Sequence, residues 1–180
     1  MTDRVTTAEP AVEAVRAAGA TGAADTADAP VPAPAQRISL RHLAPEFYRH
    51  LLAASRAATE GLADPVLTEL VNLRASQLNG CAFCLDLHAA DARANGEAEH
   101  RLHTLAAWRE TPFFTARERA ALALTESVTL VAGTHVPDGV YEEAAAHFAE
   151  VELAHLLALI TSINALNRVG VASRMTPAPK

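Results

Sequence analysis

The segment PVLTELVNLRASQLNGCAFCLDLH, residues 65–88, carries two helical patterns that are separated by an Asn-Gly pair. Asp64 directly before Pro65 is typical of a helix start, because aspartate caps the first turn and proline fits the first helical position. The Asn79-Gly80 pair predicts a break in the chain. We therefore expect a new helix to begin after Gly80, and a fold-back at this break would place it antiparallel to the preceding helix.

The composition favours an all-α fold. Of the 180 residues, 41 are alanine, which has the highest helix propensity, and only 4% are aromatic. The runs of β-branched and aromatic residues that are typical of strands are missing. The length suits one domain with one core. We therefore expect a single all-α domain of about six to seven helices.

Capping signals and breaks predict where the other helices begin and end. Thr115 with Glu118 three residues later has the pattern of a capping box. Pro137 with Asp138 opens the next helix, and the final helix is apolar enough to be central. The predicted helices cover approximately residues 45–61, 65–79, 81–95, a short stretch with Leu102, Leu105 and Trp108, and then 115–131, 137–149 and 150–172.

The two ends of the chain differ from its middle in amino-acid composition. Residues 1–36 contain no Leu, Ile, Phe, Trp or Tyr and end in a Pro/Ala run. Such a segment cannot bury enough apolar surface to offset the entropy lost on ordering. We therefore predict a disordered tail over 1–36, a helical domain over 37–174 and a loose end over 175–180.

Charge and hydropathy exclude several classes of function. The net charge is −6 and the only lysine is Lys180, whereas a nucleic-acid binder would show a basic face. The longest apolar stretch, residues 153–166, is too short and too polar for a membrane span. The acidic N-terminus lacks the apolar core of a secretory signal. We expect a soluble cytoplasmic protein that binds neither nucleic acid nor a membrane.

The only two cysteines stand three residues apart, and a histidine follows. A reducing compartment would not keep a structural disulfide, so this pair is first a redox or metal candidate. Cys81, Cys84 and His88 share one helix face, near a helix N-terminus that stabilises a thiolate. The terminus favours Cys81, but His88 is only four residues from Cys84. We therefore predict Cys84 as the nucleophile and Cys81 as the resolving cysteine.

Glu69 joins this group only if the chain folds back. On one straight helix it would lie roughly 18 Å from Cys81. With α-helices antiparallel across the break, His88 comes alongside Glu69, and a Glu-His-Cys proton relay becomes a testable hypothesis. Asp91, three residues after His88, is an alternative partner for the imidazole, or else a surface acid.

Simpler interpretations compete with this one. Buried cysteines are often inert, and Glu69 by itself has the pattern of a solvated helix acid. A zinc site would use Cys81, Cys84 and His88 with Glu69 as fourth ligand, but the chain has no second C-x-x-C. Ser76 is interpreted as a polar group in helix packing.

Glu69 together with SQLNGCAFCLDLH, residues 76–88, resembles the E…SQ…C-x-x-C-x-x-x-H signature of the alkylhydroperoxidase D-like group within the carboxymuconolactone decarboxylase family. The resemblance covers about residues 38–173. It implies an all-helical domain that assembles into homo-oligomers such as dimers, trimers or hexamers. It also implies a peroxidatic Cys84, a resolving Cys81, and a relay of Glu69 and His88.

The resemblance thus implies a thiol-dependent peroxidase that reduces alkyl or hydrogen peroxide. No bound metal or organic cofactor is needed, and an external dithiol, in the family a lipoyl group on an adaptor protein, would reduce the disulfide. Phe83 departs from the pattern, because well-studied peroxidases of the group carry histidine before the second cysteine. The alternatives are a carboxymuconolactone decarboxylase-like lyase and a non-catalytic redox-sensing oligomer.

Overall fold

The computed structural model describes residues 31–177, and over this range the chain is helical without strands. The predicted all-α class is confirmed. Nine α-helices are found in the described part of the chain, and a 3-10 helix, Leu105–Glu110, follows the fifth. The α-helices are α1 Leu40–Leu43, α2 Pro45–Leu62, α3 Pro65–Asn79, α4 Ala82–Ala94, α5 Glu99–Thr104, α6 Ala116–Thr129, α7 Val131–Thr134, α8 Asp138–His147 and α9 Glu150–Ser173.

The observed helices differ from the predicted ones in two respects. The single-turn helices α1 and α7 were not predicted, because four residues are too few to show a helical period. The short predicted helix is divided into α5 and the 3-10 helix, which contains a kink at Ala107. Most of the predicted tail, residues 1–30, lies outside the described residues, and its boundary at 36 stays a prediction.

Both predicted helix caps are present. The Asp64 carboxylate accepts a hydrogen bond of 3.0 Å from the backbone N–H of Leu67. Thr115 Oγ1 accepts from the backbone N–H of Glu118 at 3.2 Å, and the Glu118 carboxylate accepts in return from the N–H of Thr115 at 2.7 Å. These bonds satisfy donors that a helix N-terminus leaves unpaired.

The core is built around α9, which packs on α2, α3 and α6. Leu156, Leu159 and Ile160 are fully buried in it. By length and composition α9 could cross a membrane, but half of its most apolar window is buried inside the protein. This is the position of a core helix, and the expected cytoplasmic location stays a prediction.

A second anchor lies where α3 and α6 meet the 3-10 helix. Glu126 accepts hydrogen bonds from Arg74 at 2.7 Å and from the Trp108 indole at 2.8 Å, and it pairs with Arg109. Burial by itself would raise the pKa of Glu126, but the hydrogen bonds from these three donors outweigh it and lower the pKa. The lowered pKa favours the ionised form of the Glu126 carboxylate at this half-buried position.

A buried polar network joins the C-terminal end of α3 to α9. Asn79 Nδ2 donates to Asn164 Oδ1 and to Asn167 Oδ1, each at 2.9 Å. Asn167 Nδ2 donates to Ser76 Oγ at 3.0 Å, and both of these residues are fully buried. Ser76 thus has the packing role that the sequence predicts. Buried amides that are fully paired fix one relative position of two helices.

We expect the substitution Asn167→Ala to lower the free energy of unfolding by about 2 kcal/mol, because it removes two hydrogen bonds and leaves the buried Ser76 hydroxyl without its donor. Urea denaturation checks this. The control is Asn95→Ala at an exposed position, with an expected change below about 0.5 kcal/mol. Equal effects of the two substitutions would contradict the structural role of the network.

Candidate active site

The turn between α3 and α4 is made by Gly80, which has a φ of 67°. Its N–H donates to the carbonyl of Gln77 at 3.4 Å, and the N–H of Cys81 donates to the carbonyl of Ser76 at 3.1 Å. This pair of bonds is the Schellman motif, and glycine suits its left-handed residue because it has no Cβ. The predicted break is therefore present, at the predicted residue.

Cys81 serves both helices. It follows the end of α3, and it is the N-cap of α4, where its Sγ accepts from the backbone N–H of Cys84 at 3.4 Å. Its carbonyl accepts from the N–H of Leu85 at 2.9 Å. The helix therefore starts at Ala82 and not at Cys81 as predicted, because sulfur takes the capping position that an oxygen side chain usually fills.

Cys81 and Cys84 form a disulfide, and their Cα atoms are 5.4 Å apart. Both are buried, with exposed fractions of 1% and 5%. Gly170 of α9 lies directly behind them: a Cβ at this position would be 2.9 Å from Cys81 Sγ and 3.7 Å from Cys84 Sγ. Gly170 was not among the predicted site residues, although a glycine inside a helical pattern often marks a close approach.

Glu69 and His88 meet across the two antiparallel helices. His88 Nδ1 lies 2.7 Å from Glu69 Oε2, and the exposed fractions of the two side chains are only 15% and 12%. Glu69 is therefore a buried partner of the imidazole and not a solvated acid. If the Glu69 carboxylate is the acceptor of this bond, Nδ1 carries the hydrogen and Nε2 is the ring nitrogen left for another partner.

Cys84 and His88 line one pocket of about 150 Å³ between α2, α4 and α9. Cys81 does not line it. Phe83, at the position where the sequence departs from the better-known signature, is half-buried and lines the same pocket. Most of the wall is apolar and is formed by Leu52, Phe83, Leu87, Ile163, Leu166 and Val169.

The residues that could hold a metal ion differ from the set that the sequence suggests, which was Cys81, Cys84, His88 and Glu69. The two sulfurs are bonded to each other and are not available as thiolate ligands in this state. Ligand atoms of Glu69, His88 and Asp91 lie within 4.8 Å of one another, but Asp91 is exposed and Nδ1 of His88 is already paired with Glu69. The arrangement is that of an oriented imidazole beside a disulfide.

Comparison with known proteins identifies the family. The model of the carboxymuconolactone decarboxylase family matches residues 45–127. The uncharacterized protein YdfG of Bacillus subtilis (strain 168) is 38% identical over 137 residues, which are 76% of this chain and 93% of YdfG. The chain belongs to the carboxymuconolactone decarboxylase family. The uncharacterized protein YnjA of Escherichia coli (strain K12) is 35% identical over 97 residues, 54% of this chain and 53% of YnjA.

Solved structures show the same fold. A protein of unknown function from Agrobacterium tumefaciens, suggested to be the antioxidant defence protein AhpD, has a TM-score of 0.78 and 33% identity and covers 81% of this chain and 100% of its own. An uncharacterized peroxidase-related protein from Silicibacter sp. TM1040 has a TM-score of 0.60 at 24% identity and covers 71% and 70%. The second likeness concerns the fold alone.

We expect Gly170→Ala to lower the free energy of unfolding of the oxidised protein by about 1 to 3 kcal/mol, because the added methyl group presses on Cys81 Sγ and the disulfide has to shift. Thermal denaturation measures the change. Gly139→Ala in α8 is the matched control, since a Cβ there meets nothing within 4 Å. It should be neutral or stabilising by up to about 1 kcal/mol. The same sign for both substitutions would contradict the close approach.

Proposed function

We propose that this protein is a thiol-dependent peroxidase that reduces alkyl or hydrogen peroxide through a Cys81/Cys84 dithiol-disulfide cycle. The observation that carries the proposal is the pocket in which Cys84, one half of a disulfide, lies beside an imidazole that Glu69 holds in place. A redox-active sulfur, a base and a buried carboxylate that fixes the base are the parts that thiol chemistry needs. The family and the AhpD-like structural neighbour are consistent with an antioxidant role.

In the proposed cycle, His88 Nε2 accepts the proton of the Cys84 thiol. The thiolate attacks one peroxide oxygen, the O–O bond breaks, and His88 returns the proton to the departing alkoxide or hydroxide. Cys84 is left as sulfenic acid, with the alcohol or water as product. Cys81 then attacks the Cys84 sulfur and water leaves, which gives the disulfide.

An external dithiol completes the cycle by taking up the oxidising equivalents of the disulfide. We propose no bound metal or organic cofactor, since sulfur, imidazole and carboxylate account for each step. The donor class includes a lipoyl group on a partner protein. A homo-oligomer is also proposed, because Leu43 and Phe47 are large apolar side chains exposed at 74% and 56%, which a subunit interface would cover.

The family name itself supports a second candidate, a decarboxylase-like lyase. A fold does not choose a reaction, so the residues of the pocket have to decide. A lyase of this kind does not depend on a disulfide, so its activity should survive substitution of Cys81 and Cys84. A redox sensor would need both cysteines but would not turn over peroxide.

The first test follows hydroperoxide consumption with dithiothreitol or dihydrolipoamide as reductant. We expect turnover in the parent protein and none in Cys84→Ser, because serine lacks a nucleophile that can be oxidised to a sulfenic acid. In the absence of a dithiol, Cys81→Ser should consume about one peroxide per chain and then stop, with a sulfenic acid on Cys84 that a dimedone probe detects by mass spectrometry.

Each alternative has its own signature in this assay. Turnover that survives Cys84→Ser would remove the assigned nucleophile. A parent protein that is inactive with both dithiols, but forms the disulfide when peroxide is added, would point to a sensor. Glu142→Gln, at an exposed position on α8, is a control in which the chemistry should not change.

The apolar pocket predicts a preference for organic hydroperoxides. We expect Phe83→His to lower the ratio of kcat/KM for cumene hydroperoxide to kcat/KM for hydrogen peroxide by about tenfold, because an apolar wall becomes polar. Phe113→His is the matched control, since Phe113 is exposed and stacks on His100 away from the pocket. An unchanged ratio in Phe83→His would show that the substrate does not contact Phe83.

A further inference from the structure

The two sulfurs of the disulfide border different pockets. Cys84 lines the pocket that contains His88, which is here called the peroxide pocket. Cys81 lines a separate pocket of about 190 Å³, here called the Cys81 pocket, with Gly80, Ala82, Val171 and other residues. Neither cysteine is among the residues that line the other's pocket, although Met175 lines both pockets.

We propose that the reductant, a small aliphatic dithiol, enters the Cys81 pocket and attacks Cys81 Sγ, while the peroxide reaches Cys84 through the other pocket. This inference rests on the proposed function, since it assigns a second site to the same cycle. It deepens that function by separating the two substrates of the enzyme in space.

The character of the Cys81 pocket fits this occupant. Its wall is mostly apolar and its volume suits a short carbon chain and not a bulky peptide. Arg174 also lines it, and its side chain forms no ion pair with any described residue. A cation at this place favours the thiolate form of an incoming thiol, which is the form that attacks.

Attack at Cys81 also leaves each departing sulfur next to a group that can stabilise it. The thiolate of the reductant forms a bond to Cys81 Sγ, the bond to Cys84 breaks, and the electron pair leaves with Cys84 Sγ, which takes up the proton that the attacking thiol had released. The second thiol then attacks the sulfur of its own molecule, and Cys81 leaves as a thiolate. The backbone N–H of Cys84, 3.4 Å from Cys81 Sγ, stabilises that thiolate.

Atoms and electrons balance over these steps. One protein disulfide and one dithiol give two protein thiols and one oxidised reductant. After reduction, Cys84 lies in the peroxide pocket with its proton next to His88, ready for the next peroxide. Neither substrate has to leave its pocket before the other can enter.

Two bulky substitutions test the separation. Val171 lines the Cys81 pocket and Leu87 lines the peroxide pocket, and they are matched in exposure at 46% and 45%. Stopped-flow fluorescence follows two half-reactions: reduction of the disulfide by dithiothreitol or dihydrolipoamide, and oxidation of the reduced protein by cumene hydroperoxide. We expect Val171→Trp to slow reduction at least about fivefold more than oxidation, and Leu87→Trp to do the reverse.

The control is Val151→Trp, at an exposed position on the first turn of α9, which should change neither rate. Equal slowing of both half-reactions by Val171→Trp and by Leu87→Trp would overturn the inference, since it would mean one shared route. A parent protein whose thiols do not react with peroxide would refute the proposed function instead. The reduction arm would still show which pocket admits the thiol.

A second measurement needs no variant. The oxidised parent protein is mixed with 2-mercaptoethanol, quenched in acid within milliseconds to seconds, and mapped by peptide mass spectrometry. We expect the mixed disulfide on Cys81 and a free thiol on Cys84. A mixed disulfide found mainly on Cys84 at the earliest times would overturn the inference.

Discussion

The left-handed conformation of Gly80 is the constraint on which the candidate site depends. At a φ of 67° the chain ends α3 and begins α4 with one residue, Cys81, between the glycine and the new helix. The fold-back brings His88 to within 2.7 Å of Glu69, residues that a continuous helix would separate by roughly 28 Å. It also gives Cys81 the capping position, so that one sulfur of the disulfide lies at a helix N-terminus.

The turn is held by one stripe of α9. Asn164, Asn167 and Gly170 are spaced by three residues and therefore share a face of this helix. The two amides bind the end of α3, and the glycine lets the α9 backbone approach the disulfide. This explains why a helix that is otherwise apolar carries polar and small residues at these positions: the same face that fixes the turn also has to leave room for two sulfurs.

The sequence predicts the parts of this arrangement that depend on residues close together in the chain, and it misses those that depend on residues far apart in the chain. The helix break, the caps and the pairing of Glu69 with His88 depend on local signals and one fold-back, and the structure has all of them. The partners on α9 lie about ninety residues further along the chain. Their role depends on tertiary packing that no local pattern encodes, and Gly170 could only have been noticed as a glycine within a helix. The N-cap role of Cys81 was missed because sulfur is a rare cap.

His88 is the one histidine among the residues that line the peroxide pocket, so in the proposed cycle it is the group that transfers protons. In the resembling peroxidases a second histidine precedes the nucleophile, but here that position is Phe83, which lines the pocket and adds only apolar surface. Tyr48 and Ser55 also line the pocket, and their side chains carry hydroxyl groups and no ring nitrogen. If Cys84 is the nucleophile, one ring nitrogen of His88 must therefore both accept its proton and deliver it to the leaving oxygen. That places a strict demand on the orientation of the ring, and the hydrogen bond of Nδ1 to a nearly buried Glu69 restrains that orientation.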